Sequence, residues 1–365
     1  GKSEFDEWFK LFASKGRSPK IGEIWSSPEH AATLQKIAET NGEEFYKGVL
    51  ADKIDKYSRE HGGYIRKSDL EKFEPEWVQP INVNYRGYDV WEIPPNGQGL
   101  VALLALNILN EFSLAQEKNL DAYHKQIEAI KLAFADGVKY ITDSKKMKVS
   151  VENLLSREYA LERSRLISDE ALMPVPGNLP RGDTVYLAAA DEDGNMVSYI
   201  QSHYMDFGSG VVVPNTGILL QNRGHNFSLD PNHDNALEPG KKTYHTIIPG
   251  FLTREGTPIG PFGVMGGFMQ PQGHVQVLMN TIDFALNPQA SLDAPRWQWV
   301  RDRLIMVEPE FPEDIAQKLK SMGHRIVKSS DYTGFGRGQI IWRDPESGVY
   351  FGGTDKRADS EIACW

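Results

Sequence analysis

The chain has 365 residues, 40% hydrophobic and 25% charged, a globular composition that excludes a disordered polypeptide. Its formal charge of −10 excludes a general nucleic-acid binder, which needs a basic surface to neutralise phosphates. The single cysteine, Cys364, excludes an internal disulfide and a cysteine-based zinc site. The longest apolar run, LVALLAL at 100–106, falls far short of the roughly 20 residues of a membrane-spanning helix. Residues 1–10 (GKSEFDEWFK) have no apolar signal core, and the compartment stays open.

The first half reads as helical. Ser27-Pro28-Glu29 is a helix start, with Ser27 able to cap free N–H groups and Pro28 suited to the first turn. Leu34, Ile37 and Ala38 fall on one face of that helix, and Asn41-Gly42 ends it. Shorter helices are expected at 45–58 and 68–73, and a strand at 85–92. Pro94-Pro95-Asn96-Gly97-Gln98-Gly99 is a turn leading into a buried helix at 100–109. A further helix at 123–140 should turn Ile127, Ile130, Phe134 and Val138 inward, because they recur at spacings of three and four.

The pattern changes at 173–183 (MPVPGNLPRGD), where three prolines and two glycines forbid a regular element. Beyond it, 184–190 is an apolar run like a strand covered on both faces, and Asp193-Gly194 turns it into a returning strand at 196–201. Strand pairs are expected within 210–221, at 244–253 with 257–264, and at 340–343 with 349–352. A helix is expected at 272–286. Strand pairs followed by helices suggest stacked sheets with helices outside.

Several motifs carry no chemistry. Arg181-Gly182-Asp183 matches an adhesion tripeptide that recurs by chance. The run 230–234 (DPNHD) starts like a calcium loop, but Asn235 replaces the required glycine and Lys241 the closing glutamate, so it reads as a solvated loop. The glycine-rich 334–338 (GFGRG) leads toward a strand, so no phosphate-binding helix follows it.

One constellation remains. A Pro- and Gly-rich loop ends at Asp183, and Thr184 opens a strand. A threonine hydroxyl is a poor nucleophile without a base beside it. Scission of the Asp183–Thr184 bond would give Thr184 an α-amine on its own residue, with a pKa of about 8, able to take the hydroxyl proton. Equally, any strand can begin with threonine. Gly266-Gly267 follows a strand, and paired glycines let backbone N–H groups approach an oxyanion without a Cβ in the way. An ordinary tight turn is the alternative.

Together with other runs these residues resemble the γ-glutamyltranspeptidase and cephalosporin-acylase family of N-terminal-nucleophile hydrolases, in a divergent acylase-like form. The resemblance includes Gly182-Asp183-Thr184, Asp193-Gly194-Asn195, Phe207-Gly208-Ser209-Gly210 and the stretch 217–222 (GILLQN). It continues through Pro239-Gly240-Lys241, Gly266-Gly267, the run 293–297 (DAPRW) and the run 353–357 (GTDKR). Phe45-Tyr46-Lys47-Gly48, Pro94-Pro95 and 131–136 (KLAFAD) extend it over the first half.

The resemblance implies an α+β fold, an αββα four-layer sandwich, and a proenzyme cut between Asp183 and Thr184. Residues 1–183 would form a mainly helical large-subunit-like region and 184–365 a small-subunit-like catalytic region. The two fragments would remain partners, acting on a small-molecule amide with no cofactor, no metal, no nucleic acid and no membrane. Thr184 would carry the acyl group, Ser202 would be a second hydroxyl beside it, and Gly266 and Gly267 would hold the oxyanion. Family members carry a further N-terminal portion that supplies strands and a carboxylate-binding arginine, and no residue here takes that arginine's role.

The departures from the family pattern concern the substrate pocket. Arg223 replaces a neutral amide and Asn226 replaces the acidic residue that holds the glutamyl α-amine. Tyr204 replaces a small amide, and His245-Thr246 replaces a pair of serines. A pocket that loses a carboxylate and gains a guanidinium repels an ammonium and attracts an anion. The expected donors are thus γ-glutamyl or glutaryl-type amides, with the desamino acyl group favoured. Arg223 paired with a protein acid, in a purely structural role, is the alternative. The rival to an enzyme is a non-catalytic protein or fragment that keeps the family fold and neither cuts itself nor turns over.

Overall fold

The computed structural model describes residues 3–174 and 183–365, with Ser3 and Asp183 described by backbone alone. The expectations that fall on 175–182, including Arg181 and Gly182, lie outside the described residues. The chain divides into two compact units: Gly1–Trp77 with Met205–Asn222, and Val78–Tyr204 with Arg223–Trp365.

The first unit is helical: α1 (Asp6–Phe12), α2 (Pro28–Glu39), α3 (Glu43–Tyr46), α4 (Val49–Glu60) and α5 (Lys67–Glu71). The Ser27 hydroxyl accepts from the His30 N–H and Pro28 occupies the first turn of α2, as the sequence indicates. Leu34 is nonetheless exposed, and Thr33 is the buried residue of α2, donating to the carbonyl of Thr216 at 2.7 Å. The helix expected at 45–58 is broken at Lys47-Gly48, where Gly48 takes an extended conformation and starts α4. The strand pair expected within 210–221 is a single bridge, Val212↔Leu219. Asn215 and Gly217 between those positions adopt left-handed backbone, which makes the segment a turn.

The second unit contains β1 (Ile81–Tyr85), β2 (Tyr88–Glu92), α6 (Gly99–Asn110), α7 (Leu120–Tyr140), α8 (Val151–Leu154) and α9 (Arg157–Ser164). The hairpin β3 (Asp183–Ala190) and β4 (Met196–Tyr204) follows, then β5 (Gly250–Arg254), β6 (Thr257–Met265), α10 (Met269–Ile282) and α11 (Pro288–Asp293). β7 (Trp297–Arg301), β8 (Leu304–Val307), α12 (Glu313–Ser321), β9 (Arg325–Lys328), β10 (Arg337–Arg343) and β11 (Tyr350–Thr354) complete it. Six strands form an antiparallel sheet in the order β1-β2-β5-β6-β10-β11, and β7-β8-β9 form a smaller mixed sheet.

The expected strand at 85–92 is the hairpin β1–β2, turned at Arg86-Gly87, both with positive φ. α6 is apolar nearly all round and is buried nearly all round, as that pattern requires. Ile127, Ile130 and Phe134 of α7 are buried as their spacing demands. The helix expected at 272–286 begins earlier and ends earlier, because Pro271 is tolerated in its first turn and Ala285 has positive φ. Its buried glutamines replace a neighbouring strand: Gln272 exchanges hydrogen bonds with the backbone of Trp299, and Gln276 with that of Trp297.

Successive residues of β6 show the layering. A Cβ on Gly263 would meet the Tyr186 ring of β3 at 2.5 Å, whereas the next residue, Val264, lies against Gly273 of α10. Adjacent residues of a strand point to opposite faces, so the β3–β4 hairpin and α10 cover opposite faces of the sheet. The expectation that 184–190 is covered on both faces is corrected. Thr184 and Tyr186 are buried, but Val185 is 57% and Leu187 44% exposed. In this unit the hairpin packs on β6 and β10 with one face, and the described residues leave its other face open.

Candidate active site

The ladder between β3 and β4 is irregular where Thr184 sits. Asp183 pairs with Tyr204 and Val185 with Gln201, so Ser202 and His203 together oppose the single residue Thr184. Such a bulge re-aims side chains locally. Here it brings the Thr184 hydroxyl to within 3.2 Å of the Ser202 hydroxyl, to which it donates. Ser202 Oγ in turn accepts from the Tyr204 N–H at 2.8 Å. Thr184 is only 5% exposed. Tyr204 has φ +86°, an unusual conformation for a bulky residue, at the place where β4 ends.

Gly266 and Gly267 lie between β6 and α10 with φ of +135° and +57°. Their carbonyls accept from the Met269 and Gln270 N–H groups in the first turn of α10. Gln98, fully buried at the start of α6, holds this loop. Its amide nitrogen donates to the carbonyl of Gly267 at 2.8 Å and to that of Thr246 at 2.6 Å. Its carbonyl oxygen accepts from the Tyr244 hydroxyl at 3.2 Å.

The pocket residues named from sequence are close neighbours. The Arg223 guanidinium lies over the Tyr204 ring at 5.0 Å and donates to the Thr246 hydroxyl at 2.7 Å. Arg223 is 5% exposed, and burial pushes its pKa down to about 10, so it stays a cation at neutral pH. Burial raises Tyr204 to about 12, with the Arg223 charge acting the other way. Burial, assisted by the same charge, lowers His245 to about 3, so this imidazole is neutral. Asn226 is braced, its amide nitrogen donating to the carbonyl of Tyr244 at 2.9 Å.

A chain of direct contacts thus runs Thr184, Ser202, Tyr204, Arg223, Thr246, Gln98, Gly267. Asp183 is placed by backbone alone, at the first position of β3. Gln98 and Tyr244 are the residues that sequence reasoning missed. The signal for Gln98 was the run 94–99, which reads as a turn and gives no hint of a partner 148 positions away.

Among the described residues, His124, Glu128 and His324 form a buried group of metal-ligand types. Their contacts are made within the protein. His124 Nδ1 meets His324 Nε2 at 2.9 Å, and the Lys131 ammonium donates to Glu128 at 2.6 Å, standing where a cation would. Glu128 also accepts from the Leu172 N–H at 2.9 Å.

The Gamma-glutamyltranspeptidase family model matches residues 2–365. The crystal structure of a cephalosporin acylase from Bacillus halodurans superposes with a TM-score of 0.97 at 64% identity, covering 100% of this chain and 67% of that one. The glutathione hydrolase-like YwrD proenzyme of Bacillus subtilis is 38% identical over 357 residues, 96% of this chain and 68% of the relative. The oxamate amidohydrolase proenzyme of Klebsiella pneumoniae is 33% identical over 354 residues, 95% and 67% respectively. The chain therefore spans about two thirds of the length of these relatives, and it belongs to the γ-glutamyltranspeptidase family.

Proposed function

We propose that the protein is a self-processing amidohydrolase or acyltransferase that works through Thr184. The observation that carries this reading is the buried Thr184 hydroxyl, bonded to Ser202 at the first turn-in of a strand and linked by contacts to the Gly266–Gly267 loop. In the first event Thr184 Oγ attacks the carbonyl carbon of Asp183. A C–O bond forms, the peptide C–N bond breaks, and the nitrogen, keeping its own proton, takes up the hydroxyl proton to become the new α-amine. Water then hydrolyses the ester, leaving the Asp183 carboxylate and the free Thr184 hydroxyl. In turnover the α-amine takes the hydroxyl proton as Oγ attacks a substrate amide, and returns it to the leaving amine. Water or another amine accepts the acyl group. Gly266 and Gly267 donate backbone N–H groups to the tetrahedral oxyanion. Ser202 supports the nucleophile through its hydroxyl.

In this reading 1–183 and 184–365 are the two fragments. The helix, sheet and hairpin layers of the second unit belong to an αββα sandwich whose second sheet contains β3 and β4. The acyl group carries a carboxylate and no ammonium, as in a glutaryl amide, with γ-glutamyl amides as poorer donors. The buried Arg223 cation and the neutral His245 support that preference. So do two relatives, one a cephalosporin acylase and one acting on oxamate, an amide that bears a carboxylate and no ammonium.

Intact-mass measurement tests the processing step. Thr184→Ala should remain one chain, because no hydroxyl starts the shift, and Thr184→Ser should still divide. Protease-free cleavage at the same bond in the alanine variant would defeat the proposal and leave the non-catalytic reading.

A further inference from the structure

The glycine-rich run 334–338, which has no phosphate to hold, lies against the proposed oxyanion loop. A Cβ on Gly336 would stand 2.8 Å from the carbonyl oxygen of Met265, and a Cβ on Gly266 would stand 3.1 Å from Gly336 Cα. The two backbones therefore touch with no side chain between them. Arg337 pairs with Met265 in the β6–β10 ladder immediately beside this contact.

Two buried charges hold the run in place. Arg296 Nη1 donates to the carbonyls of Phe335 and Gly336, each at 3.0 Å. Its Nη2 donates to Asp355 Oδ2 at 2.6 Å, and the same oxygen accepts from the Gly338 N–H at 2.8 Å. Arg357 steadies Asp355 from the far side at 3.0 Å and also pairs with Glu308. The Arg296 and Asp355 side chains are 2% and 0% exposed. Charges buried this deeply lose their hydration, and a buried ion pair contributes little net stability. What this pair does supply is a fixed geometry for three backbone groups of the run, the carbonyls of Phe335 and Gly336 and the N–H of Gly338.

We infer that Arg296 and Asp355 are positioning residues for catalysis: through the 335–338 turn they set the backbone of Gly266 and Gly267. The inference rests on the reading of that loop as the oxyanion donors. Backbone donors work only when aimed at the position the oxyanion will occupy, and a misplacement of about 1 Å costs on the order of a hundredfold in rate. Arg296→Lys keeps the charge but cannot span two carbonyls and a carboxylate from one point. Asp355→Asn keeps the shape and removes the charge that holds Arg296.

The test compares both variants with Asp136→Asn, which breaks the partly buried Arg163–Asp136 pair between α7 and α9, away from this loop. Rates are normalised to processed Thr184 by active-site titration, and unfolding midpoints are matched by choice of temperature. Asp355→Asn and Arg296→Lys should lower kcat at least tenfold with KM within twofold, while Asp136→Asn keeps kcat. Hydrogen exchange of the peptide 264–269 should speed up at least tenfold in the first two and not in the third. This second readout also serves a chain that remains uncut. Unchanged kcat, or unchanged exchange in that peptide, overturns the inference. A parent whose Thr184 is never acylated defeats the oxyanion reading instead, and does so without touching the exchange result.

Discussion

Arg223 is the side chain on which the substrate question turns. Its guanidinium stays charged although burial lowers its pKa to about 10, and it sits between the Tyr204 ring and the Thr246 hydroxyl. His245 and Tyr204 beside it are neutral. Asn226, which replaces an acid in the family pattern, already donates to the carbonyl of Tyr244, so an aspartate there would set two oxygens against each other. The cleaner variant is Arg223→Gln alone. Its kcat/KM for a glutaryl amide should fall at least tenfold, about 1.4 kcal/mol of transition-state stabilisation, with a smaller loss for the γ-glutamyl amide. Equal losses for both donors would assign Arg223 to structure. Tyr204, Arg223, His245 and Thr246 drew attention in the sequence because each stands where a known pattern has a different residue, and the structure puts Arg223 in contact with Tyr204 and Thr246. Gln98 was not, since a buried cross-chain amide leaves no local periodicity or spacing to read.

At the scale of elements, α6 and α7 were legible because a helix buried nearly all round and one buried along a face leave clear patterns. The strand β3 was legible as a strand and not in its burial. The run VYLAAA is apolar at every position, and only the packing of one face on β6 separates Tyr186 from Val185. β7 to β9 and α12 went unread because each is only four to nine residues long, too short a window for periodicity to separate helix from strand. The seating of β3 depends on Gly263, whose missing Cβ leaves room for the Tyr186 ring at 2.5 Å from where that atom would be. Tyr186 also shares a hydrogen bond with Ser198 at 2.9 Å, so it cannot swing away freely. Gly263→Ala should therefore lower stability by about 1–3 kcal/mol through overpacking and slow cleavage before Thr184. Denaturant unfolding and a time course of intact mass measure the two effects. Tyr186→Leu in the same chain should recover part of both. A Gly263→Ala protein with unaltered stability and cleavage rate would mean that β3 is seated by something other than this contact.

Across the whole molecule, buried neutral histidines give the fold an acid limit at higher pH than its ion-paired carboxylates do. Burial and the Arg223 charge hold His245 at about 3, and burial with Lys131 nearby holds His324 at about 2. In the unfolded chain both return to about 6.5. Between the two values the unfolded state binds more protons than the folded one. Stability is therefore full above about pH 6.5 and falls as the pH drops, by about 1.4 kcal/mol per pH unit for each histidine. Asp136 and Asp283 act in the opposite sense, because burial raises their pKa and the folded state takes up their protons first. A single substitution isolates the histidine contribution. His245→Asn preserves an acceptor for the Ile247 N–H, which now bonds to Nδ1 at 3.3 Å, and removes the titration. Parent and variant should unfold with parallel dependence on pH above 7. Between pH 6.5 and 5 the parent should lose about 2 kcal/mol more than the variant, read as a steeper fall in the urea midpoint at constant m. Parallel curves across that window would mean that His245 takes up its proton in the folded protein as readily as in the unfolded chain, so that the pocket around Arg223 becomes doubly cationic as the pH falls.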